Sequence, residues 1–495
     1  MAQTEAHPAT PCSSLAADLA LRRCADIRSR VIMAGLYAPA EGAAHEAGPA
    51  GSQAVTTWRI SPCPLFLSQE QLAFFTKLGP RLLTLYRALN RLYLESAKGT
   101  QPAWVARYLD QGKPEALISY SRMKRFRDDL PAVIRPDVIP TQDGMVITEL
   151  DSVPGGIGLT ACLSSVYGGL DETPLPLVGG RDGMARGFAA MLRAVQGTRA
   201  GCIAIVVSEE AKDYRPEMAW LAARLREQGV ETYCVEPRDV RFTEEGLRLR
   251  LDAREQPIAL IYRFYELFDL LNIPKAELIQ YAAKKEWAAV TPPYKPALEE
   301  KSAFALLHHP VLRPFWEKEL GAPTFLDLTT IMPRTWLLDP APIPPAATIP
   351  GLQMGGRAVT NWRDLAAATQ KERHYVIKPS GFSELAWGSR GVSVGHDLPQ
   401  AEWAAAIEQA LSSFPTTPYI LQEFHKGRLF ELDYWDPASN AMLRMNGRAR
   451  LSPYYFVAEG KAELAGILAT ICSAEKKIIH GMKDAIMVPC AVHPR

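Results

Sequence analysis

The sequence predicts a mixed α/β fold, and three observations support that prediction. An apolar run at Cys202–Val207 is followed by a helical pattern at 216–228 and by a second strand from residue 232, which is the order of an α/β unit with a parallel sheet. A turn at 142–144 separates two apolar runs and indicates a β-hairpin. Further strand patterns occur together with helical segments between residues 291 and 460.

The composition is that of an ordinary soluble globular protein, with 47% hydrophobic and 22% charged residues. At about 150 residues per domain, a chain of 495 residues is expected to form about three domains. The 55 Lys and Arg residues nearly balance the 54 Asp and Glu residues, which argues against a dedicated nucleic-acid binder. No apolar run reaches about 18 residues and no secretory signal pattern is seen, so we expect a cytoplasmic protein without a membrane partner.

The eight cysteines are spread through the chain, and none lies within four residues of another. This spacing excludes a zinc ribbon and a CxxC redox motif. We therefore expect buried, reduced thiols.

The first 185 residues divide into two predicted segments. Residues 1–55 are rich in Ala, Pro, Gly, Ser and Thr and are expected to be a flexible tail, although 15–33 carries an amphipathic helical pattern. Residues 56–185 are expected to form a helical region, with one or two long helices at 69–96, and the hairpin around the turn at 142–144.

Residues 186–290 are predicted to form a small Rossmann-like domain with a parallel sheet. Its helix at 216–228 ends at Gly229, and a further strand is expected at 258–262. The loop Ser208-Glu209-Glu210 after the first strand lacks the glycine pattern of a dinucleotide site, which disfavours a cofactor of the NAD type.

Residues 291–460 contain a helix at 302–308 headed by Lys301 and a proline-rich connection at 339–350. Strands are predicted in this region at 374–378, 419–424, 429–435 and 442–445. The last segment, 461–495, is expected to hold one helix and a final strand at 485–488.

Three carboxylates are predicted to meet on the hairpin. Glu149 and Asp151 are two residues apart on one strand, so they face the same side, and Asp137 lies on the preceding strand. Three carboxylates in one place repel one another unless a cation offsets them, and Mg²⁺ with nucleotide phosphates is the usual solution. The alternative is a solvated face of a surface hairpin.

A second candidate site begins with Lys378 at the end of an apolar strand. The loop that follows contains Gly381, Gly388 and Gly391 and leads into a second strand at 392–395. This pattern is typical of a hairpin that covers phosphates, because the ammonium supplies charge and the loop supplies backbone N–H groups. The later strand that carries Gln422 and Glu423 suits contact with an adenine edge.

This order of motifs resembles the ATP-grasp superfamily and, more narrowly, the glutathionylspermidine synthase family and related circularly permuted ATP-grasp proteins. The resemblance covers about residues 134–457 and implies a circularly permuted ATP-grasp fold with a Rossmann-like pre-ATP-grasp domain. Five motifs carry it: Arg135-Pro136-Asp137, Glu149-Leu150-Asp151, Glu300-Lys301-Ser302, Val376-Ile377-Lys378-Pro379 and Gln422-Glu423.

The resemblance also implies roles for individual residues. Lys301 and Lys378 are expected to bind ATP phosphates, while Arg135 stabilises the transferring phosphoryl group. The expected ligands of two Mg²⁺ ions are Asp137, Glu149 and Asp151. Contact with the nucleotide is further expected from Ser380, Gly388, Arg390, Gly391, Gln422 and Glu423, and contact with phosphate or substrate from Arg450, close to Arg448.

Some positions depart from the family pattern or have simpler explanations. Asp151 stands where the family has Asn, and the thiol amidase half of the bifunctional members is expected to be absent. Lys301 could instead be a surface lysine at a helix start, and Arg448 and Arg450 could lie on a solvated hairpin face. His308 and His309 are adjacent on a helix, point apart, and are not expected to form a catalytic pair.

The resemblance implies an ATP-dependent carboxylate–amine ligase that uses ATP and Mg²⁺. The acid is phosphorylated to an acylphosphate, an amine attacks it, and ADP and phosphate are released. The expected partners are small-molecule or peptide-like acid and amine substrates, and the oligomeric state stays open. Two alternatives remain: an ATP-dependent phosphotransferase on the same fold, and a non-catalytic nucleotide-binding or scaffold protein.

Overall fold

The computed structural model describes residues 15–37, 58–170, 175–251, 254–344, 347–388, 390–476, 479 and 484–494. The rest of the predicted tail, 1–14 and 38–57, lies outside the described residues. None of the described helices is both long enough and apolar enough to cross a bilayer.

The helices of the described chain are α1 (Ala17–Met33), α2 (Gln69–Ala97), α3 (Ala103–Asp110), α4 (Glu115–Ser121), α5 (Ile157–Tyr167), α6 (Gly183–Gln196), α7 (Arg215–Glu227), α8 (Ala276–Lys284), α9 (Ser302–His308), α10 (Arg313–Leu320), α11 (Ala322–Ile331) and α12 (Gln400–Ser412).

The strands are β1 (Leu65–Leu67), β2 (Val133–Pro140), β3 (Met145–Asp151), β4 (Cys202–Val207), β5 (Thr232–Val235), β6 (Val240–Thr243), β7 (Gly246–Leu251), β8 (Arg254–Phe264), β9 (Ala289–Thr291), β10 (Thr335–Leu337), β11 (Gln353–Met354), β12 (Arg357–Ala358), β13 (Tyr375–Pro379), β14 (Ser393–Val394), β15 (Tyr419–Glu423), β16 (Leu429–Asp436), β17 (Ala441–Ala458), β18 (Lys461–Ser473) and β19 (Ile486–Val492).

A seven-stranded sheet forms the centre of the molecule, with strand order β1-β19-β18-β17-β2-β3 and β16 paired to β17. The β1–β19 pair is parallel and the other pairs are antiparallel. The hairpin predicted around residues 142–144 is confirmed as β2 and β3.

The two faces of this sheet are covered by different helices: α2 packs against Tyr455 of β17, and α6 packs against the next residue, Phe456, which points to the opposite face. The long helix predicted at 69–96 is confirmed as α2, whose first turn is closed by a capping box between Ser68 and Gln71. On the sheet side, Phe456 of β17 packs edge-on against Phe188 of α6, with ring centroids 5.4 Å apart. These contacts belong to the largest hydrophobic core.

The predicted α/β unit forms a six-stranded sheet with the order β5-β4-β8-β7-β6, and β9 pairs with β8. β4 runs parallel to β5 and β8, and β8 runs parallel to β9, whereas β6, β7 and the start of β8 pair in antiparallel fashion. This sheet is therefore mixed, and its inner strands are parallel as expected. A second hydrophobic core lies against it.

A four-stranded antiparallel sheet of order β10-β15-β13-β14 carries the second set of predicted site residues. α12 packs on it, and the fully buried Trp403 of that helix belongs to a third hydrophobic core. The helix predicted at 302–308 is confirmed as α9 (Ser302–His308).

The N-terminal helix differs from the expectation of a flexible tail. α1 buries Ala20, Cys24, Ile27 and Val31, and the last three belong to the largest core. The amphipathic pattern was therefore the informative signal, because its apolar stripe is covered by the body of the protein.

The prediction of a helix after residue 459 is wrong. That stretch is β18, which pairs with β17 on one side and β19 on the other. Its residues 465–472 are buried throughout, and a continuous apolar run buried on both faces gives no alternation by which a strand could be told from a helix.

The cysteines follow the expectation only in part. Among the residues that the structure describes, six cysteines are free thiols, five of them buried, but Cys63 is disulfide-bonded. Spacing alone excludes metal motifs and does not reveal long-range pairing.

Candidate functional site

The β2–β3 hairpin brings the three predicted carboxylates together. Asp137 lies directly opposite Glu149, and Arg135 lies opposite Asp151. A register irregularity between Asp137 and Val138 interrupts the ladder at this point. All four side chains line one large cleft, so the prediction that Glu149 and Asp151 face the same side is confirmed.

Each carboxylate of the hairpin is paired with a cation. Arg135 contacts Asp137 at 2.9 Å and Asp151 at 2.6 Å. Arg450 of β17 reaches Asp137 at 3.2 Å. Lys301, at the start of α9, contacts Glu149 at 2.9 Å.

Burial and these pairings oppose each other in setting the pKa values. Burial acts to raise the pKa of Asp137, but Arg135 and Arg450 outweigh it and hold the pKa below its usual value. The same balance at Glu149, with Lys301 and Lys378 as the cations, also lowers the pKa. The pKa of Asp151 is instead raised, because burial outweighs Arg135 and Glu149 adds repulsion.

Lys378 enters the cleft from the four-stranded sheet. Its strand β13 pairs with β15, and its Nζ donates a hydrogen bond of 2.8 Å to the carbonyl oxygen of Thr148 on β3. Burial lowers the pKa of Lys378 to about 8, although Glu149 acts in the opposite direction. Two lysines from different elements therefore act on Glu149.

Gln422 and Glu423 lie at the end of β15, on the same sheet as Lys378. Gln422 is buried and donates a hydrogen bond of 3.1 Å to Thr335 Oγ1. Glu423 is half-buried, and its backbone N–H donates to the carbonyl oxygen of Arg334. Both side chains line the cleft.

The glycine loop lies along the rim of the cleft. Lys301 Nζ donates to the carbonyl oxygen of Ala386 at 3.2 Å. Arg390 forms an ion pair of 2.9 Å with Glu210, which follows β4, and its guanidinium lies over the Trp387 ring. Gly388, with φ of +64°, and Arg390 line the cleft.

Two residues of the predicted loop site do not line the cleft. The fully buried Ser380 accepts a hydrogen bond of 2.9 Å from the backbone N–H of Ser302, which ties the loop to α9. A Cβ atom at Gly391 would lie 2.7 Å from Pro379 Cγ, so close packing explains the glycine there. The structure gives both residues a role in holding the loop.

The cleft that joins these residues has a volume of about 1370 Å³. Its lining comes from the seven-stranded sheet, the four-stranded sheet, the glycine loop, α5, α7, and Lys301 just before α9. Eleven of the thirteen residues predicted for the site line it: Arg135, Asp137, Glu149, Asp151, Lys301, Lys378, Gly388, Arg390, Gln422, Glu423 and Arg450.

The donor chemistry of the hairpin suits Mg²⁺, which prefers carboxylate oxygens. Among the residues that the structure describes, however, no three Asp, Glu, His or Cys side chains are grouped so that they could hold a metal ion. The carboxylates instead form ion pairs with the side chains of Arg135, Arg450 and Lys301.

Sequence reasoning missed Glu217, a buried carboxylate beside the hairpin. It accepts hydrogen bonds of 2.7 Å from the backbone N–H groups of Gly156 and Leu159 and so satisfies the N-terminus of α5. Burial raises the pKa of Glu217 to about 7, and these two N–H groups moderate the rise. The available signal was the glycine-rich segment Gly155-Gly156-Ile157-Gly158 at the start of α5, because the backbone N–H groups of a helix start need an acceptor.

A second missed group lies at the carboxyl end of β8. Glu266 and Glu299 line a small cavity of about 60 Å³ together with Lys301 and Asp151. Burial and the neighbouring Glu299 raise the pKa of Glu266 to about 8. Carboxyl ends of parallel strands are the usual ligand side of α/β sheets, which was the available signal.

Comparison with known proteins shows the fold. No protein-family model matches the chain, and no curated protein matches it. The chain is similar to the apo structure of a glutathione synthetase-like effector from Globodera pallida, with a TM-score of 0.58 and 12% identity over 98% of this chain and 100% of that one. A protein provisionally assigned as a γ-glutamylcysteine synthetase from Methylobacillus flagellatus KT has a TM-score of 0.38 and 13% identity over 84% of this chain and 85% of that one, too low a score to carry an argument. The chain therefore has a mixed α/β fold similar to that of the Globodera pallida effector.

Proposed function

We propose that the protein is an ATP-dependent carboxylate–amine ligase that works through an acylphosphate. The observation that carries the proposal is the single cleft in which Lys301, Lys378 and Arg450 meet the carboxylates of the β2–β3 hairpin. Positioned cations of this kind stabilise a transferring phosphoryl group without a protein nucleophile.

The finer assignment rests on the order of the motifs. The carboxylate hairpin precedes both lysines in the chain, as in the circularly permuted ATP-grasp proteins of the glutathionylspermidine synthase family. In this assignment the sheet containing β4, β5, β8 and β9 is the Rossmann-like pre-ATP-grasp domain. The similarity in fold to a glutathione synthetase-like effector supports the ATP-grasp superfamily. The narrower assignment to the glutathionylspermidine synthase family is tested by experiment.

In the proposed complex, ATP phosphates bind Lys301 and Lys378, and Gln422 and Glu423 contact the adenine. The phosphates compete with Glu149 for Lys301, and with Asp137 and Asp151 for the charges of Arg135 and Arg450. Asp137, Glu149 and Asp151 then become available to hold Mg²⁺, which supplies further neutralisation of phosphate charge.

The reaction uses two bond exchanges. The substrate carboxylate oxygen attacks the γ-phosphorus of ATP, the bond to the β-phosphate oxygen breaks, and ADP leaves. The amine then attacks the acyl carbon, the carbon–oxygen bond to phosphate breaks, and an amide and inorganic phosphate form after loss of the amine proton. Arg135 and Arg450 stabilise the charge on the phosphoryl oxygens.

Hydroxylamine trapping tests the proposal. The protein is incubated with Mg-ATP, hydroxylamine and a panel of carboxylic acids, and hydroxamate and ADP are measured together. The expected result is acid-dependent hydroxamate in step with ADP. A stable phosphorylated product that resists hydroxylamine would instead establish the phosphotransferase.

One observation favours a second candidate, a non-catalytic nucleotide-binding protein. All three hairpin carboxylates are paired with protein cations, so the site is balanced without a metal ion. This candidate predicts tight ATP binding that does not need Mg²⁺, without ADP formation for any acid and amine. Calorimetry with and without EDTA separates the two.

A further inference from the structure

The floor of the cleft has a charged half and a neutral half. Alternate residues of β17, including Arg450 and Ser452, face the cleft beside the hairpin carboxylates. The next strands contribute neutral side chains. We call these the neutral patch, which consists of Leu468 and Thr470 of β18, Met487 of β19, and Trp58 and Tyr37 from the N-terminal part of the chain.

The pairing of the strands joins the two halves. Arg450 lies directly opposite Thr470, and Thr470 lies directly opposite Met487 on the far side. Arg59 forms a bridge with Ile486, which places Trp58 beside the start of β19. The ring of Tyr37 packs edge-on against Trp58 with centroids 5.1 Å apart. The neutral patch is therefore continuous with the residue that reaches Asp137.

Two polar atoms of the neutral patch are buried without partners. Thr470 Oγ1 and Trp58 Nε1 form no hydrogen bond with any residue that the structure describes, although both side chains are 1% exposed. Buried polar groups are nearly always hydrogen-bonded, and an unpaired one costs folding free energy. Arg450 Nε, at the border of the patch, is unpartnered in the same way.

We propose that the neutral patch binds the tail of the acid substrate, and that Thr470 and Trp58 select an uncharged tail that carries a hydrogen-bond acceptor. This inference rests on the proposed ligase, because it takes the acid to extend from Arg450 across β18 and β19. The indole N–H and the guanidinium are donors only, so they pair with a carbonyl oxygen and disfavour an ammonium group. Leu468 and Met487 supply the apolar surface for the rest of the tail.

Three acids of equal chain length test the selection: 4-acetamidobutanoate, heptanoate and 6-aminohexanoate. Binding to the full chain with Mg-ADP present is measured by calorimetry, so no turnover is needed. We expect the acetamido acid to bind at least as tightly as heptanoate and both to bind more tightly than the amino acid. Thr470→Val and Trp58→Phe are each expected to weaken only the acetamido acid, by roughly three- to tenfold.

The variants have an internal check on folding. Because the Thr470 hydroxyl has no partner, its replacement by a methyl group of similar shape is expected to leave the melting temperature unchanged or raised. Thr330→Val, on the exposed side of α11, is the matched control and is expected to change neither binding nor stability.

The results of the acid-binding test can be distinguished from those of the hydroxylamine test of the ligase. Equal affinity for the three acids, no binding of any of them, or full affinity for the acetamido acid in both variants would each overturn the neutral patch as a subsite. Selective binding without hydroxamate formation would overturn the ligase and retain the subsite. Hydroxamate formation together with unchanged affinity of both variants for the acetamido acid would support the ligase and overturn the subsite.

Discussion

Lys378 is a buried ammonium group that donates a hydrogen bond to a carbonyl oxygen, that of Thr148. Lys301 differs, because it is paired with Glu149 and its pKa is raised by that carboxylate against the effect of burial. The two lysines therefore start from different charge environments on either side of the same acid. Their responses to substitution and to pH should differ accordingly.

Removing either lysine is expected to weaken ATP binding. Lys378→Ala and Lys301→Ala each delete a charge-assisted hydrogen bond to phosphate worth about 1.5–3 kcal/mol, or roughly ten- to hundredfold in Kd. Calorimetry against wild type measures the change, with the exposed Lys318→Ala as control. Wild-type affinity in both variants would remove these lysines from the nucleotide site.

ATP binding is also expected to depend on pH through Lys378. Its pKa of about 8 lies below the ordinary value for lysine because burial penalises the ammonium form. The charge that attracts phosphate is therefore complete below pH 7 and declines as the pH passes 8, so the Kd should rise across pH 8–9. Lys378→Arg keeps its charge and should give a flat profile. A wild-type Kd for ATP that stays constant up to pH 9 would show that deprotonation of Lys378 does not control ATP binding.

Glu149 is expected to be essential for turnover and dispensable for folding. Glu149→Gln removes the negative charge with which Glu149 would hold Mg²⁺, while it keeps the side-chain shape. ADP release should be lost while the chain still folds, with a lower melting temperature because Lys301 loses its paired charge, whereas Glu227→Gln on the exposed side of α7 should change neither property. Unchanged Mg²⁺-dependent ADP release in Glu149→Gln would exclude Glu149 as a ligand.

At the level of single residues, the sequence was most informative where a motif combined charge with a strand end. Asp137, Glu149, Lys301 and Lys378 all line the cleft as expected. Thr470 and Trp58 could not be predicted, because their meeting depends on the pairing of β17, β18 and β19 and on a bridge across more than 400 residues.

Among the elements, α1 shows most clearly that composition and periodicity can disagree. Its neighbours in sequence are typical of a tail, but its apolar stripe fills a place on the largest core. Periodicity reports on burial more directly than the composition of flanking residues does. The opposite failure occurred at β18, where burial on both faces removed the periodicity altogether.

The docking of α1 can be measured with one substitution on each of its faces. Ile27 is fully buried and Leu19 is 38% exposed. Ile27→Ala is expected to lower the free energy of unfolding by about 2–5 kcal/mol, and Leu19→Ala by less than about 0.5 kcal/mol. Urea unfolding followed by circular dichroism gives both values. Equal, small losses of unfolding free energy in the two variants would show that α1 does not pack on the core and belongs to the flexible tail.

For the molecule as a whole, the cleft draws its lining from elements that carry separate cores. Lys378 comes from the four-stranded sheet and the carboxylates from the seven-stranded sheet, while Arg390 of the glycine loop is paired with Glu210 beside β4. The relative arrangement of these elements could not be read from the sequence, because it is determined by pairings between distant segments such as β2 with β17.

A ligand that contacts several of these units should stabilise them together. At a nucleotide concentration of 100 times the Kd, the expected gain in unfolding free energy is about 2.7 kcal/mol. Differential scanning calorimetry of wild type with and without Mg-ATP measures the gain, and Lys378→Ala at the same concentration should show much less of it. A ligand-induced rise confined to one transition, with the others unmoved, would show that the nucleotide contacts one unit only.

The position of β19 between β1 and β18 also sets an order of events during synthesis. β1 lies near residue 65, yet the strand that joins it to the rest of the sheet is residues 486–492. The sheet can therefore close on the ribosome only after β19 has been synthesised, which is more than 300 residues after β1, α2 and the hairpin. Because such long-range contacts form slowly, the nascent chain exposes an unfilled strand position at least until residues 486–492 have been synthesised, and chaperone binding is expected to protect it during that interval.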